Sequence, residues 1–157
     1  MVFDLGSWAI FAAVLLTVLS LSAYAMADDM TASDWFLVGE DLLEAGSYED
    51  AAAAYDEAIS MDPENGTLHL SKGDALYALA RAQGFDPRTL EEAIAAYEEA
   101  IRLDPASAMA RLGKGRALSL AANPLVGEER VSRKKEALSS LGMATALDPV
   151  FEIPKIG

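Results

Sequence analysis

A spacing of small, bulky and helix-breaking residues occurs three times in this chain and restricts what it can fold into. The clearest copy is WFLVGEDLLEAGSYEDAAAAYDEAISMDP, from Trp35 to Pro63. Small residues stand at Gly39, Ala51 and Ala58, and bulky apolar ones at Trp35, Leu42, Tyr55 and Ile59. Small side chains at such intervals let two helix axes approach closely, while the bulky ones fill the space between and beside them. Gly46 can adopt the left-handed conformation that closes a first helix, and Ser47 can cap a second. Glu49 and Asp50 then fall in the first turn of that second helix, where the dipole favours negative charge. Asp62-Pro63 ends it, because proline lacks an amide donor and disfavours helical geometry in the residue before it. Two helices so joined pack antiparallel.

The second copy carries Gly73, Leu76, Ala93, Tyr97, Ala100 and Pro105 at the places of Gly39, Leu42, Ala51, Tyr55, Ala58 and Pro63. The third carries Gly115, Leu118, Ala137, Leu141, Ala144 and Pro149, with Leu141 in place of the tyrosine. These residues resemble the tetratricopeptide repeat, a helix–turn–helix unit of about 34 residues. Two departures stand out. Trp35 is replaced by His69 and Arg111 in the later copies, so packing there must differ. Pro63 to Pro105 spans 42 residues and Pro105 to Pro149 spans 44, so eight and ten residues are extra; longer helices and wider turns near 80–88 and 121–130 can absorb them. Pro87 with the capping-box pattern Thr89-Leu90-Glu91-Glu92 restarts the helix in copy two, and Gly127-Glu128-Glu129 restarts it in copy three.

The resemblance implies an all-α fold, a right-handed α-solenoid of three helix-turn-helix repeats (about 33–65, 66–107 and 108–149), and the apolar run before it adds a single hydrophobic helix. It also implies a non-enzymatic protein-interaction module that binds a helical or extended segment in its concave groove. The family's groove positions fall on Ser33, Phe36, Glu40, Leu43 and Glu44, then Thr67, Leu70, Asp74 and Tyr77, then Met109, Leu112, Arg116 and Ser119. Members that grip the carboxylate tails of chaperones carry Lys, Arg and Asn at these places, a set this chain lacks. The expected partner instead offers apolar anchors to Phe36, Leu70, Tyr77 and Leu112 and a basic residue to Glu40, Glu44 or Asp74. The competing expectation is a structural subunit of a membrane-associated assembly, its groove taken up by its own tail, its N-terminal segment or a second copy.

Trp8 to Ala27 is an uncharged run of 20 residues, long enough at ~1.5 Å per residue to cross a hydrocarbon layer of ~30 Å. Ala23-Tyr24-Ala25 and Ala25-Met26-Ala27 fit signal-peptide cleavage, yet the Lys or Arg that normally precedes such a run is missing and Asp4 stands there. Residues 1–27 therefore read as a membrane anchor or a signal peptide. The expectation is a single-pass membrane protein with an extracytoplasmic repeat domain, the alternative secretion after cleavage near Ala27. Residues 28–32 are a spacer of at most ~18 Å.

The net charge is −13, with 13 acids and no Lys or Arg in residues 1–71 and 12 of each sign in residues 72–157. Such a chain is repelled by nucleic acid, and none is expected as a partner. Without cysteine there is no disulfide, thiolate metal site or cysteine nucleophile. His69, the only histidine, is more often packed or at the surface than catalytic at such a position. Asp62-Pro63-Glu64-Asn65-Gly66 lacks the alternation of a calcium loop, and Gly113-Lys114-Gly115 lacks the remainder of a phosphate loop. No catalytic residue, cofactor or metal is expected. Arg130, Arg133, Lys134 and Lys135 read as a helix face laced by Glu129 and Glu136. The tail 150–157, with Phe151, Ile153 and Ile156, reads as a cover for the last apolar face or as a docking peptide.

Overall fold

The recurring small residues lie where a neighbouring side chain crosses the helix, and the architecture follows from that. The computed structural model describes residues 30–151. Among these are six α-helices and no strand: α1 (Ala32–Glu44), α2 (Tyr48–Met61), α3 (Gly66–Ala82), α4 (Pro87–Leu103), α5 (Ala108–Ala121) and α6 (Gly127–Leu147), followed by a 3-10 turn at Pro149–Phe151. Each helix packs against the next, and α3 also touches α5. Three hairpins thus stack side by side as a solenoid, with α1, α3 and α5 as the first helix of each.

A Cβ added to Gly39 would lie 2.5 Å from the Tyr55 ring, and one on Gly73 would lie 2.7 Å from Tyr97. Gly115 faces Leu141 in the same way, at 2.6 Å. Gly113 also abuts Tyr97, so this ring is held in a slot between α3 and α5. Among the described residues, Tyr55, Tyr97, Leu90 and Leu118 are the largest fully buried side chains, and alanines fill most of the remaining core. Close approach of helices around a few rings, rather than bulky aliphatic packing, holds the stack together.

The extra residues lengthen helices more than turns. Both α3 and α4 have 17 residues, against 13 in α1 and 14 in α2, while α6 has 21. Gly46, at φ +78°, closes α1. The Ser47 amide donates to Leu42 O and the Gly46 amide to Leu43 O, the paired bonds of a Schellman motif. That pairing holds Ser47 at ψ 64°, outside the extended geometry a capping side chain needs, and its hydroxyl makes no cap bond. In copy two the cap is Asp86, not Thr89. Pro87 occupies the start of α4, and Asp86 Oδ2 accepts from both the amide and the hydroxyl of Thr89, each at 2.9 Å.

Two kinds of polar tie recur between hairpins. Lys72 Nζ pairs with Asp56 at 2.6 Å and Lys114 Nζ with Glu98 at 2.8 Å, and Lys114 also pairs within its own hairpin with Glu136 at 3.0 Å. His69 Nε2 lies 3.0 Å from the Pro63 carbonyl, and Arg111 Nη2 donates to the Pro105 carbonyl at 2.9 Å. The two residues that replace the tryptophan therefore hold the inter-hairpin turns. Arg133 and Glu136 pair with Glu91 of α4 and Lys114 of α5, so these two charges tie α6 to other helices instead of lacing its own face. No helix among the described residues is long and apolar enough to cross a membrane. The expected anchor at 8–27 and the tail residues Ile153 and Ile156 lie outside the described residues.

Candidate binding groove

The first helices set the groove residues at matching heights. Glu40, Asp74 and Arg116 occupy the same place in three successive copies and form a row across α1, α3 and α5. Tyr55 donates its hydroxyl to Glu40 Oε1 at 2.5 Å, and Tyr97 donates to Asp74 Oδ1 at 2.7 Å. The two acids thus anchor the buried rings from the groove side. Burial, reinforced by the acid each one meets, pushes both tyrosine hydroxyls well above the ordinary phenol range.

Asp74 is exposed to water, yet the packed helices beside it still desolvate its carboxyl. That burial raises its pKa, the Tyr97 bond and the Arg116 charge draw it down, and the Glu40 charge raises it again. Asp74 therefore senses both neighbours of the row, whose charge runs from negative on α1 to positive on α5.

The apolar groove residues do not all face solvent equally. Phe36, Leu43, Leu70 and Tyr77 are partly buried and pack against the core. The Phe36 and Tyr55 rings sit 6.0 Å apart and tilted, and the Arg81 guanidinium lies 6.0 Å from the Tyr77 ring centre. Leu112 is half-buried, while Glu44, Met109 and Arg116 are exposed. At the α1–α3 end a recess of about 230 Å³ opens beside Phe36, lined also by Ser33, Thr67 and Leu68. A second recess of about 410 Å³ lies between α2 and α4, its rim cross-linked by Lys72 and Asp56. No cluster of three potential metal-ligating side chains occurs among the described residues.

The tetratricopeptide repeat family profile matches residues 38–85 and 88–123, more than half of the chain. The chain belongs to the tetratricopeptide repeat family. Two solved structures of similar fold are tetratricopeptide domains of Spaghetti (RPAP3), each bound to the HSP90 peptide SRMEEVD. The second such domain is 21% identical, with a TM-score of 0.60, over 80% of this chain and 99% of that one. The first is 18% identical, with a TM-score of 0.60, over 76% of this chain and 80% of that one. At these identities the likeness concerns the fold. No curated protein matches the chain in sequence.

Several roles within this tetratricopeptide stack were not read from the sequence. Gly113, in a Gly-Lys-Gly run that lacks the rest of a phosphate loop, lies inside α5 as one wall of the Tyr97 slot. The signal was its alignment with Ser71, which adjoins the Tyr55 hydroxyl. The paired lysines Lys72 and Lys114 carried the same kind of signal, because both stand one residue before an aligned glycine.

Proposed function

We propose that this protein is an adaptor whose three repeats hold a helical or extended segment of another polypeptide against α1, α3 and α5. The observation that carries the reading is the row Glu40, Asp74 and Arg116, flanked by the partly buried Phe36, Leu70, Tyr77 and Leu112. Electrostatic complementarity then orients the ligand, with a basic residue toward Glu40, Glu44 and Asp74 and an apolar residue in the recess beside Phe36. The related domains of RPAP3 take an acidic peptide, whereas the acids on α1 and α3 would repel one. We further propose that residues 8–27 hold the repeats at a membrane. The uncharged run supports that tether, and resistance of the protein to carbonate extraction from membranes tests it.

The groove is tested with fluorescently labelled peptides compared by anisotropy: one amphipathic with Lys and Leu, one its Glu and Leu counterpart, and SRMEEVD. The basic peptide should bind most tightly. Glu44→Lys should weaken it about tenfold, and Arg116→Glu should not. Glu44 and Arg116 are exposed and suit this test better than Phe36 or Tyr77, whose truncation would disturb the core. Equal binding of acidic and basic peptides, or indifference to Glu44→Lys, overturns the reading. If residues 150–157 or a second copy filled the groove instead, all three peptides would be excluded.

A further inference from the structure

The two ends of the stack carry residues that answer each other where the internal junctions carry a different matched set. At each internal junction the second helix of one hairpin meets the first helix of the next in the same register. Tyr55 adjoins Ser71 and Tyr97 abuts Gly113. One residue along, Asp56 pairs with Lys72 and Glu98 with Lys114. The same places on the outer ends are Leu37 and Val38 of α1 and Leu141 and Gly142 of α6. A ring against a small residue has become leucine against leucine, and an acid against lysine has become glycine against valine. Both members of each pair have changed, and the new members still match in size and polarity.

The surface agrees. Ala52 and Ile94, 7% and 5% exposed, are covered by the hairpin that follows them, but their counterpart Leu138 is 65% exposed. Leu37 is 60% exposed at the opposite end. Nothing beyond the helix's own backbone lies within 4 Å of where a Gly142 Cβ would stand, although glycine inside a helix is destabilising relative to alanine. Charge is complementary as well. Asp41 stands where Ala75 and Ala117 are fully buried, and exposed Lys134 stands where Leu90 is. In antiparallel register, seating Leu37 on Leu141 brings Asp41, one turn on, beside Leu138 and within reach of Lys134.

We propose that a second copy of this chain continues the stack head to tail, with Leu37, Val38 and Asp41 of one copy seated on Lys134, Leu138 and Gly142 of the next. The contact joins two different faces, so it does not close on a pair; it extends into an open array that repeats the concave face from copy to copy. It does not depend on what the groove binds, since internal junctions of the same kind leave the groove accessible.

The test is analytical ultracentrifugation of the full chain in mild detergent, with Leu37→Glu and Leu138→Glu as head-blocked and tail-blocked variants. Both substitutions are at exposed sites, and circular dichroism checks that the helices persist. The wild type should form species larger than dimers as concentration rises, and each variant alone should sediment as one protomer. A mixture of the two should give a one-to-one dimer that grows no further, because each variant retains one intact face. Asp41→Lys and Lys134→Glu should each weaken assembly at least tenfold, and the chain carrying both should recover it. A wild type that stays a single protomer, as when the tail or N-terminal segment covers an end, overturns the proposal. So does assembly indifferent to both blocking variants, as when residues 8–27 carry it, or a variant that dimerises alone.

Discussion

At the scale of single residues, the tyrosine slots decide which glycines can be replaced. Alanine is the better helix former by about 1 kcal/mol, so Gly→Ala stabilises a helix where space is free. At Gly73 the new Cβ would stand 2.7 Å from a buried ring, and overpacking of this kind typically costs about 1–3 kcal/mol. Gly73→Ala should therefore lower the denaturant midpoint, whereas Gly142→Ala, with nothing within 4 Å, should raise the stability of the protomer by about 0.5–1 kcal/mol. The same sign for both would refute the slot. Asp74 supplies a test in pH. Its folded pKa is raised from 3.8, chiefly by burial, so folding favours its protonated form. Ionisation then erodes stability as pH climbs from the unfolded value through the raised one. Asp74→Asn keeps an acceptor for Tyr97 and removes that penalty. Its melting temperature should exceed that of wild type at pH 7, modestly because water still reaches and screens the carboxylate, and the gap should close below about pH 4. A gap independent of pH would remove Asp74 as its source.

At the scale of helices, a suitable residue type did not guarantee a cap. Ser107 accepts from the Ala110 amide at 3.3 Å, whereas Ser47 makes no such bond. Ser107→Ala should cost about 1 kcal/mol, and Ser47→Ala should stay within about 0.5 kcal/mol of wild type; chemical denaturation of the two variants separates them. Both serines precede helices and look alike in sequence. Only the preceding turn distinguishes them, because at Ser47 the Schellman pairing has already committed the backbone. Asp86 and Thr89 teach the same lesson. The capping-box pattern was present, but proline at the start of α4 moved the boundary three residues earlier. Helix lengths were bounded by the proline spacing, while the division of the extra residues between α3, α4 and α6 depended on where each turn could satisfy its backbone bonds.

At the scale of the whole molecule, stability in a stack is a sum of hairpin terms and nearest-neighbour junctions. The middle hairpin has a neighbour on both sides. α4 buries seven residues along its length, whereas α1 buries only Gly39. Hydrogen exchange should accordingly protect α3 and α4 most, with α1 and the outer part of α6 exchanging at least tenfold faster, as expected for weakly packed ends. Uniform protection from α1 to α6 would mean that the stack opens as one unit.

Much of this architecture could be read in advance, because close packing of helices imposes small residues at fixed intervals and prolines end helices through a missing donor. Gly39, Gly73, Tyr55, Tyr97 and the three prolines carry that information locally. What they do not carry is which helix supplies the other side of each contact. The Gly113 wall around Tyr97, the Lys114 bridge to two helices and the row Glu40, Asp74 and Arg116 exist because packed helices bring residues 16 to 42 positions apart to the same height. Such pairings belong to the register between helices, and the stack sets that register only once its hairpins have come together.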